Sequence, residues 1–182
     1  MEKLKRGGIV TPKGFTAGAT HGGLKKEADA LDIAVLMAQR KTRAAGVFTK
    51  NTFAAAPVQW SQNILPSEDL RAVAINSGNA NACTGQKGHD HVRRMAQVVA
   101  KRAQVDPHQV AVCSTGIIGH PLPITDVAGA LEDACSSASR ERQAGNRAAS
   151  AILTTDTGPK TSVVRVPGEN GGYHVAGMAK GA

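Results

Sequence analysis

Three short stretches of this 182-residue chain set small polar side chains beside glycine, a combination that can build pockets for developing negative charge. The first is NSGNANACTGQKG, residues 76–88, where Asn76, Ser77, Asn79, Asn81 and Thr84 crowd a loop with Gly78 and Gly85. Such side chains satisfy their own backbone in Asx-rich turns as readily as they meet a ligand, so composition leaves both readings open. The second is CSTGIIGH, residues 113–120. A hydroxyl residue followed by glycine at a strand end can aim one O–H and one backbone N–H at a single point, and two such donors make an oxyanion hole. An ordinary strand exit has the same composition. The third is ILTTDTGPK, residues 152–160, whose threonines suit a substrate carboxylate or amide, or equally a strand edge or cap cluster.

These donors come without an attacking group. Cys83, Cys113 and Cys135 cannot all pair within the chain and show no CxxC spacing, which points to free thiols in a reducing compartment. Cys113 reads as a core-facing strand residue with no His–Asp pair beside it. The six histidines, His21, His89, His91, His108, His120 and His174, lack metal-ligand spacing, and His89 and His91 stand two apart at a helix start, where they do not face one another. No metal site or cofactor is expected.

The elements that must carry these loops follow from periodicity. LDIAVLMA (31–38) and AAGVFTKN (44–51), separated by the basic stretch QRKTR, read as a hairpin. LRAVAINSG (70–78) reads as a buried strand. From His89 to about Ala103, Val92, Met95, Ala96, Val99 and Ala103 recur at helical spacing. VAVCSTG (110–116) is a strand entered after Pro107, and ITDVAGALEDACSSA is a helix with Thr125 or Asp126 as N-cap. A short Ala-rich helix covers about 143–151. TSVVRV (161–166) and YHVAGM (173–178) flank the turn PGENGG as a second hairpin. Strands and helices alternate in one continuous unit, residues 1–182, of the α/β or α+β class.

Composition narrows the partners. Apolar residues make up 41% of the chain and aromatics 3%, so the core is built from Ala, Val, Ile and Leu, and twenty glycines argue against a helical bundle. The net charge of +8 is scattered: no basic run reaches five residues and aromatics for base stacking are nearly absent. This favours a solvated basic surface over a nucleic-acid-binding module. No apolar run approaches the roughly 20 residues of a membrane span, and the N-terminus has no signal-peptide core, so a cytoplasmic protein is expected.

In series, GGIVTPKGFTAGA, AAGVFTKN, AAPVQWS, INSGNANACTGQKG, VAVCSTGIIG, ILTTDT and AGMAKGA resemble the ornithine acetyltransferase (glutamate N-acetyltransferase) family of cyclic arginine biosynthesis, in the family's order and over nearly the whole chain. ATHGGLKKE and NTFAAAPV match more loosely. The resemblance implies an α/β sandwich with two β layers flanked by helices. It also implies a precursor that cuts itself just before a Thr downstream of AKG, which would make this chain the α chain and put the nucleophilic Thr on a β chain. Thr115 (side chain) and Gly116 (backbone N–H) would then hold the oxyanion, and Thr154 or Thr155 with Lys180 would bind substrate. The implied reaction moves acetyl from N2-acetylornithine to glutamate through an acetyl-threonine, with acetyl-CoA use open and an α2β2 assembly. A self-cleaving aminopeptidase of related fold is the rival enzyme reading.

Overall fold

The computed structural model describes residues 1–168 and 171–181. In chain order the elements are β1 (Glu2–Lys3), β2 (Phe15–Thr20), β3 (Ile33–Ala44), α1 (Ala56–Ile64), β4 (Ser67–Asn79), α2 (Gly85–Ala103), a 3-10 turn (Pro107–Gln109), β5 (Val110–Ile117), α3 (Ile124–Ser136), α4 (Arg142–Ala151), β6 (Lys160–Val166) and β7 (Tyr173–Ala179). They form two sheets. The larger has the order β2-β3-β4-β5, antiparallel except for the parallel β4/β5 pair, and the smaller is the antiparallel set β1-β6-β7. The crossover that a parallel pair demands is α2.

Small side chains dictate how the layers meet. Along β4, Leu70, Ala72 and Ala74 are buried at every second position, and Ala72 and Ala74 share a core with Val92, Met95, Ala96 and Val99 of α2 and Val127, Leu131 and Ala134 of α3. Fully burying a Val, Leu or Met side chain contributes about 1.5–3 kcal/mol before entropy is counted, and an Ala methyl correspondingly less. At Gly18 of β2 a Cβ would lie 1.9 Å from the carbonyl oxygen of Ala134, so α3 sits against the sheet at a distance only glycine permits. The opposite sheet face packs Ala17, Ala19 and Ala34 against Ala148, Ala151 and Ile152 around α4, with Ile75 and Met178 beside them. Met178 belongs to β7, which brings the second sheet to this face.

Two local expectations are corrected. Residues 31–51 form no hairpin: QRKTR continues β3, which pairs with β2 on one side and β4 on the other, its register shifting between Met37 and Thr42. QRKTR contains none of the Gly, Asn or Asp that tight two-residue turns prefer, so the strand runs on with its charges exposed. Nor does Thr125 or Asp126 cap α3. The N-cap is Pro123, whose carbonyl accepts from Val127 N–H, and Asp126 lies in the first turn, where its charge complements the helix dipole. The terminal hairpin forms as expected between β6 and β7, and Glu169 and Asn170 of its turn lie outside the described residues.

Candidate functional site

The parallel pair β4/β5 ends in matched glycines. Its register sets Asn76 beside Ser114, Ser77 beside Thr115 and Gly78 beside Gly116. Both glycines have positive φ, +104° and +138°, and a Cβ on Gly116 would lie 2.1 Å from the carbonyl carbon of Gly78. A Cβ on Gly78 would in turn meet the Leu24 carbonyl oxygen at 2.7 Å. Three backbone segments therefore stack without side chains between them, and ligand sites in open α/β sheets form at such carboxyl ends of parallel strands.

The Asn-rich stretch turns its polar groups inward. Asn76, Ser77, Asn79 and Asn81 are all buried. Asn76 Nδ2 donates to the Asn79 carbonyl at 2.7 Å, Asn79 Nδ2 to the His120 carbonyl at 3.0 Å, Asn81 Nδ2 to the Gly88 carbonyl at 2.9 Å, and Thr84 Oγ1 to Asn81 Oδ1 at 2.8 Å. Ser77 Oγ reaches across to the Ala151 carbonyl of α4. Of the two readings open from composition, these bonds favour the internally bonded loop, which fixes the route from β4 into α2, although Asn76 Oδ1 and the adjacent Ser114 Oγ are buried without a partner.

Thr115, Gly116, Thr154, Thr155 and Lys180 all line one open cleft of about 560 Å³, together with Gly78, Ile117 and the loop Leu24–Glu27. Lys180 Nζ donates to Thr115 Oγ1 at 2.9 Å. An ammonium has no acceptor capacity, so the Thr115 hydroxyl keeps its own proton free to donate into the cleft. Thr154 and Thr155 lie on the segment after α4 and are exposed. That segment follows the Ala-rich helix expected at about 143–151.

Two carboxylates that the motifs do not single out hold the walls. Asp156 is the first: its Oδ1 accepts from Gly181 N–H at 2.7 Å and from Lys160 Nζ at 2.5 Å, and Lys160 Nζ also reaches the Gly181 carbonyl at 3.1 Å. With its side chain 1% exposed, the hydrogen bond from Lys160, followed by that from Gly181 N–H, holds the carboxyl down at about 2. The clamp fixes the backbone beside Lys180. Asp32 is the second, fully buried, with Oδ1 accepting from Gly22 N–H and Oδ2 from Leu24 N–H at 2.7 Å and Lys25 N–H at 3.2 Å. Burial lowers the Lys25 ammonium from its ordinary value against the opposing pull of Asp32 and Glu27. An acid in the apolar run LDIAVLMA is itself a signal, since an unpaired buried charge is costly and must find donors.

Cys113 corrects the remaining expectation: it is exposed, not core-facing. Crowding by protein atoms nonetheless raises its thiol above the ordinary value, which disfavours the thiolate. Among the described residues no group of three or more His, Cys, Asp or Glu side chains is gathered for a metal ion, and no helix is long and apolar enough to cross a membrane.

Residues 16–182 match the ArgJ family. The arginine biosynthesis bifunctional protein ArgJ of Bifidobacterium longum is 41% identical over 96% of this chain, and that of Streptomyces coelicolor is 44% identical over 96%; in each case the match spans 44% of the relative's length. The chain thus covers less than half of these curated relatives. Among solved structures, an ornithine acetyltransferase complexed with ornithine from Mycobacterium tuberculosis superposes with a TM-score of 0.93 at 38% identity, over 100% of this chain and 95% of that one. The bifunctional protein ArgJ of Bacillus halodurans gives a TM-score of 0.93 at 33% identity, over 99% and 93%. The two-sheet α/β architecture expected from the motifs is therefore the fold of those crystal structures, and the chain belongs to the ArgJ family.

Proposed function

We propose that this chain is the α chain of an acetyltransferase that moves the acetyl group of N2-acetylornithine to glutamate through an acetyl-threonine, the Thr being supplied by a β chain of the same precursor. The convergence of Thr115, Gly116, Thr154, Thr155 and Lys180 on one cleft carries this reading. The proportions of the matches support the two-chain form: solved chains are covered over 93% and 95%, full-length relatives over 44%. A polypeptide of about this size is thus a separate chain in those crystals. Residues 1–182 act as one unit, cytoplasmic, in an α2β2 assembly that uses no cofactor.

Each part has a physical role. The α-amine of an N-terminal Thr takes its own hydroxyl proton near neutral pH, and Oγ attacks the acetyl carbonyl carbon. Thr115 O–H and Gly116 N–H stabilise the resulting oxyanion, and losing one such donor raises the barrier by about 3–4 kcal/mol. Collapse of the tetrahedral adduct releases ornithine with its amine protonated. Glutamate then enters and its α-amine takes the acetyl group from the Thr ester. Lys180 meets the α-carboxylate that both substrates share, and Thr154 or Thr155 binds beside it. The family relatives called bifunctional extend the proposal to acetyl-CoA as a second donor.

Intact-mass measurement of the full-length protein tests the proposal. It should resolve two chains, the second beginning with Thr, and incubation with N-acetylornithine should add 42 Da, the acetyl mass expected for covalent catalysis, to that second chain alone. A single uncleaved chain that still transfers acetyl would overturn it.

A further inference from the structure

Part of the cleft wall is the loop Leu24–Glu27, inside ATHGGLKKE, a stretch that follows the family pattern only loosely. It is an exposed loop with a fixed backbone. Asp32 takes the N–H groups of Gly22, Leu24 and Lys25, Lys25 Nζ is bound to the Leu31 carbonyl at 2.6 Å, and Leu24 packs on Gly78. The charges that follow, Lys26 and Glu27, are exposed and are held by no ion pair among the described residues. Two adjacent side chains of opposite sign thus line a cleft from a pinned backbone, and among the described residues neither is held in an ion pair.

We infer that Lys26 and Glu27 read the side-chain end of the substrate, Lys26 meeting a terminal carboxylate and Glu27 a terminal ammonium. The inference rests on the acetyl-transfer reading, which obliges one cleft to hold two α-amino acids in turn. Ornithine and glutamate share the α-carboxylate and differ at the far end, ammonium in one and carboxylate in the other. A neutral wall leaves either end unpaired, and a wall of one sign repels one of the two substrates. Neighbouring charges of both signs serve each end by a small side-chain movement while the loop backbone stays in place.

Titration calorimetry on the full-length protein tests this without requiring turnover, using L-glutamate, L-ornithine and L-glutamine as probes. Lys26→Gln should weaken glutamate binding by about fivefold to tenfold, the effect of one partly solvated charge-assisted contact, and change ornithine by less than twofold. Its preference for glutamate over glutamine should fall by the same factor. Glu27→Gln should do the reverse, weakening ornithine and sparing glutamate. Equal losses for both ligands would assign these residues to the shared α-carboxylate or to a general field and overturn the inference, as would no loss for either. Wild-type protein that transfers acetyl while the variants lack this split defeats the inference alone. Wild-type protein that binds both ligands with the predicted split but transfers nothing defeats the acetyl-transfer reading alone.

Discussion

Thr115 accepts from Lys180 and has one proton left to give, so its two exchangeable contacts point to different jobs. If that proton meets the oxyanion, its loss is felt only as charge develops. Thr115→Ala in cleaved full-length enzyme should lower kcat by about 10²–10³ with KM much less changed, whereas Thr115→Ser keeps the donor and most of the rate. A threonine that merely packs at a strand end would make the two variants alike, so steady-state kinetics separates the cases once cleavage has been checked by gel. Asp156 offers a second residue-level test through acid. Its folded value of about 2 lies below the ordinary carboxylate value of 3.8. A depressed carboxyl stabilises the fold above its unfolded value, and that contribution is lost as pH falls through the folded one. The melting-temperature gap between wild type and Asp156→Asn should therefore be full above about pH 4 and close toward about pH 2. A gap that stays constant over that window would mean the Lys160–Asp156–Gly181 clamp carries no stability.

At the scale of elements, the site exists because two strands end on glycines that admit one another. Gly116→Ala must move a Cβ away from Gly78 carbonyl carbon 2.1 Å distant and hold a positive φ, so both steric and conformational costs apply. Gly119 also has a positive φ, +82°, but nothing within 4 Å of a Cβ, and Gly119→Ala should cost only the strain of about 1–2 kcal/mol. Denaturant unfolding should find Gly116→Ala destabilised by clearly more than Gly119→Ala, and equal losses would mean the strand ends are not in tight contact. The same contrast explains what was legible beforehand. β4, α2, β5, α4 and the β6/β7 hairpin announce themselves because burial imposes period 2 or 3.6 directly on Ala72 and Ala74, or Val92, Met95 and Val99. β3 is not legible as one strand because the boundary between one long strand and two short ones depends on pairing with β2 and β4, and no local residue encodes that. Residue types alone single out the stretches that hold Thr115, Gly116, Thr154 and Thr155, whereas their individual roles and Lys180 follow only from the family resemblance. Asp156 and Asp32 escaped notice because their partners come from chain geometry: Gly181 lies 25 residues from Asp156.

The whole molecule joins a cleft to exposed apolar side chains. Ile117 and Ile118 at the end of β5, and Tyr173 and Val175 on β7, are each at least half exposed. Ile117 lines the cleft itself, where the β chain proposed above would cover it. The titratable side chains lining the cleft are Lys25, Lys26, Glu27 and Lys180, and Lys180 is hydrogen-bonded to the Thr115 hydroxyl. That pair raises a specific alternative, in which Thr115 Oγ attacks and Lys180 serves as its base. A lysine able to take that proton must be neutral, whereas one that meets a substrate carboxylate must carry its charge, so the two roles exclude each other in a single step. The full-length protein and residues 1–182 produced alone distinguish them. If the nucleophile comes from a second chain, residues 1–182 should transfer no acetyl group to glutamate and take up no acetyl mass from N-acetylornithine. They should also associate or precipitate at concentrations where the full-length protein stays dispersed, because Ile117, Ile118, Tyr173 and Val175 are left uncovered. Supplying the downstream segment by co-expression should restore transfer, and Thr115→Ser in that complex should stay active. Acetylation of Thr115 in the isolated chain, read by peptide mass spectrometry, would instead move the nucleophile into this polypeptide and make Lys180 its base.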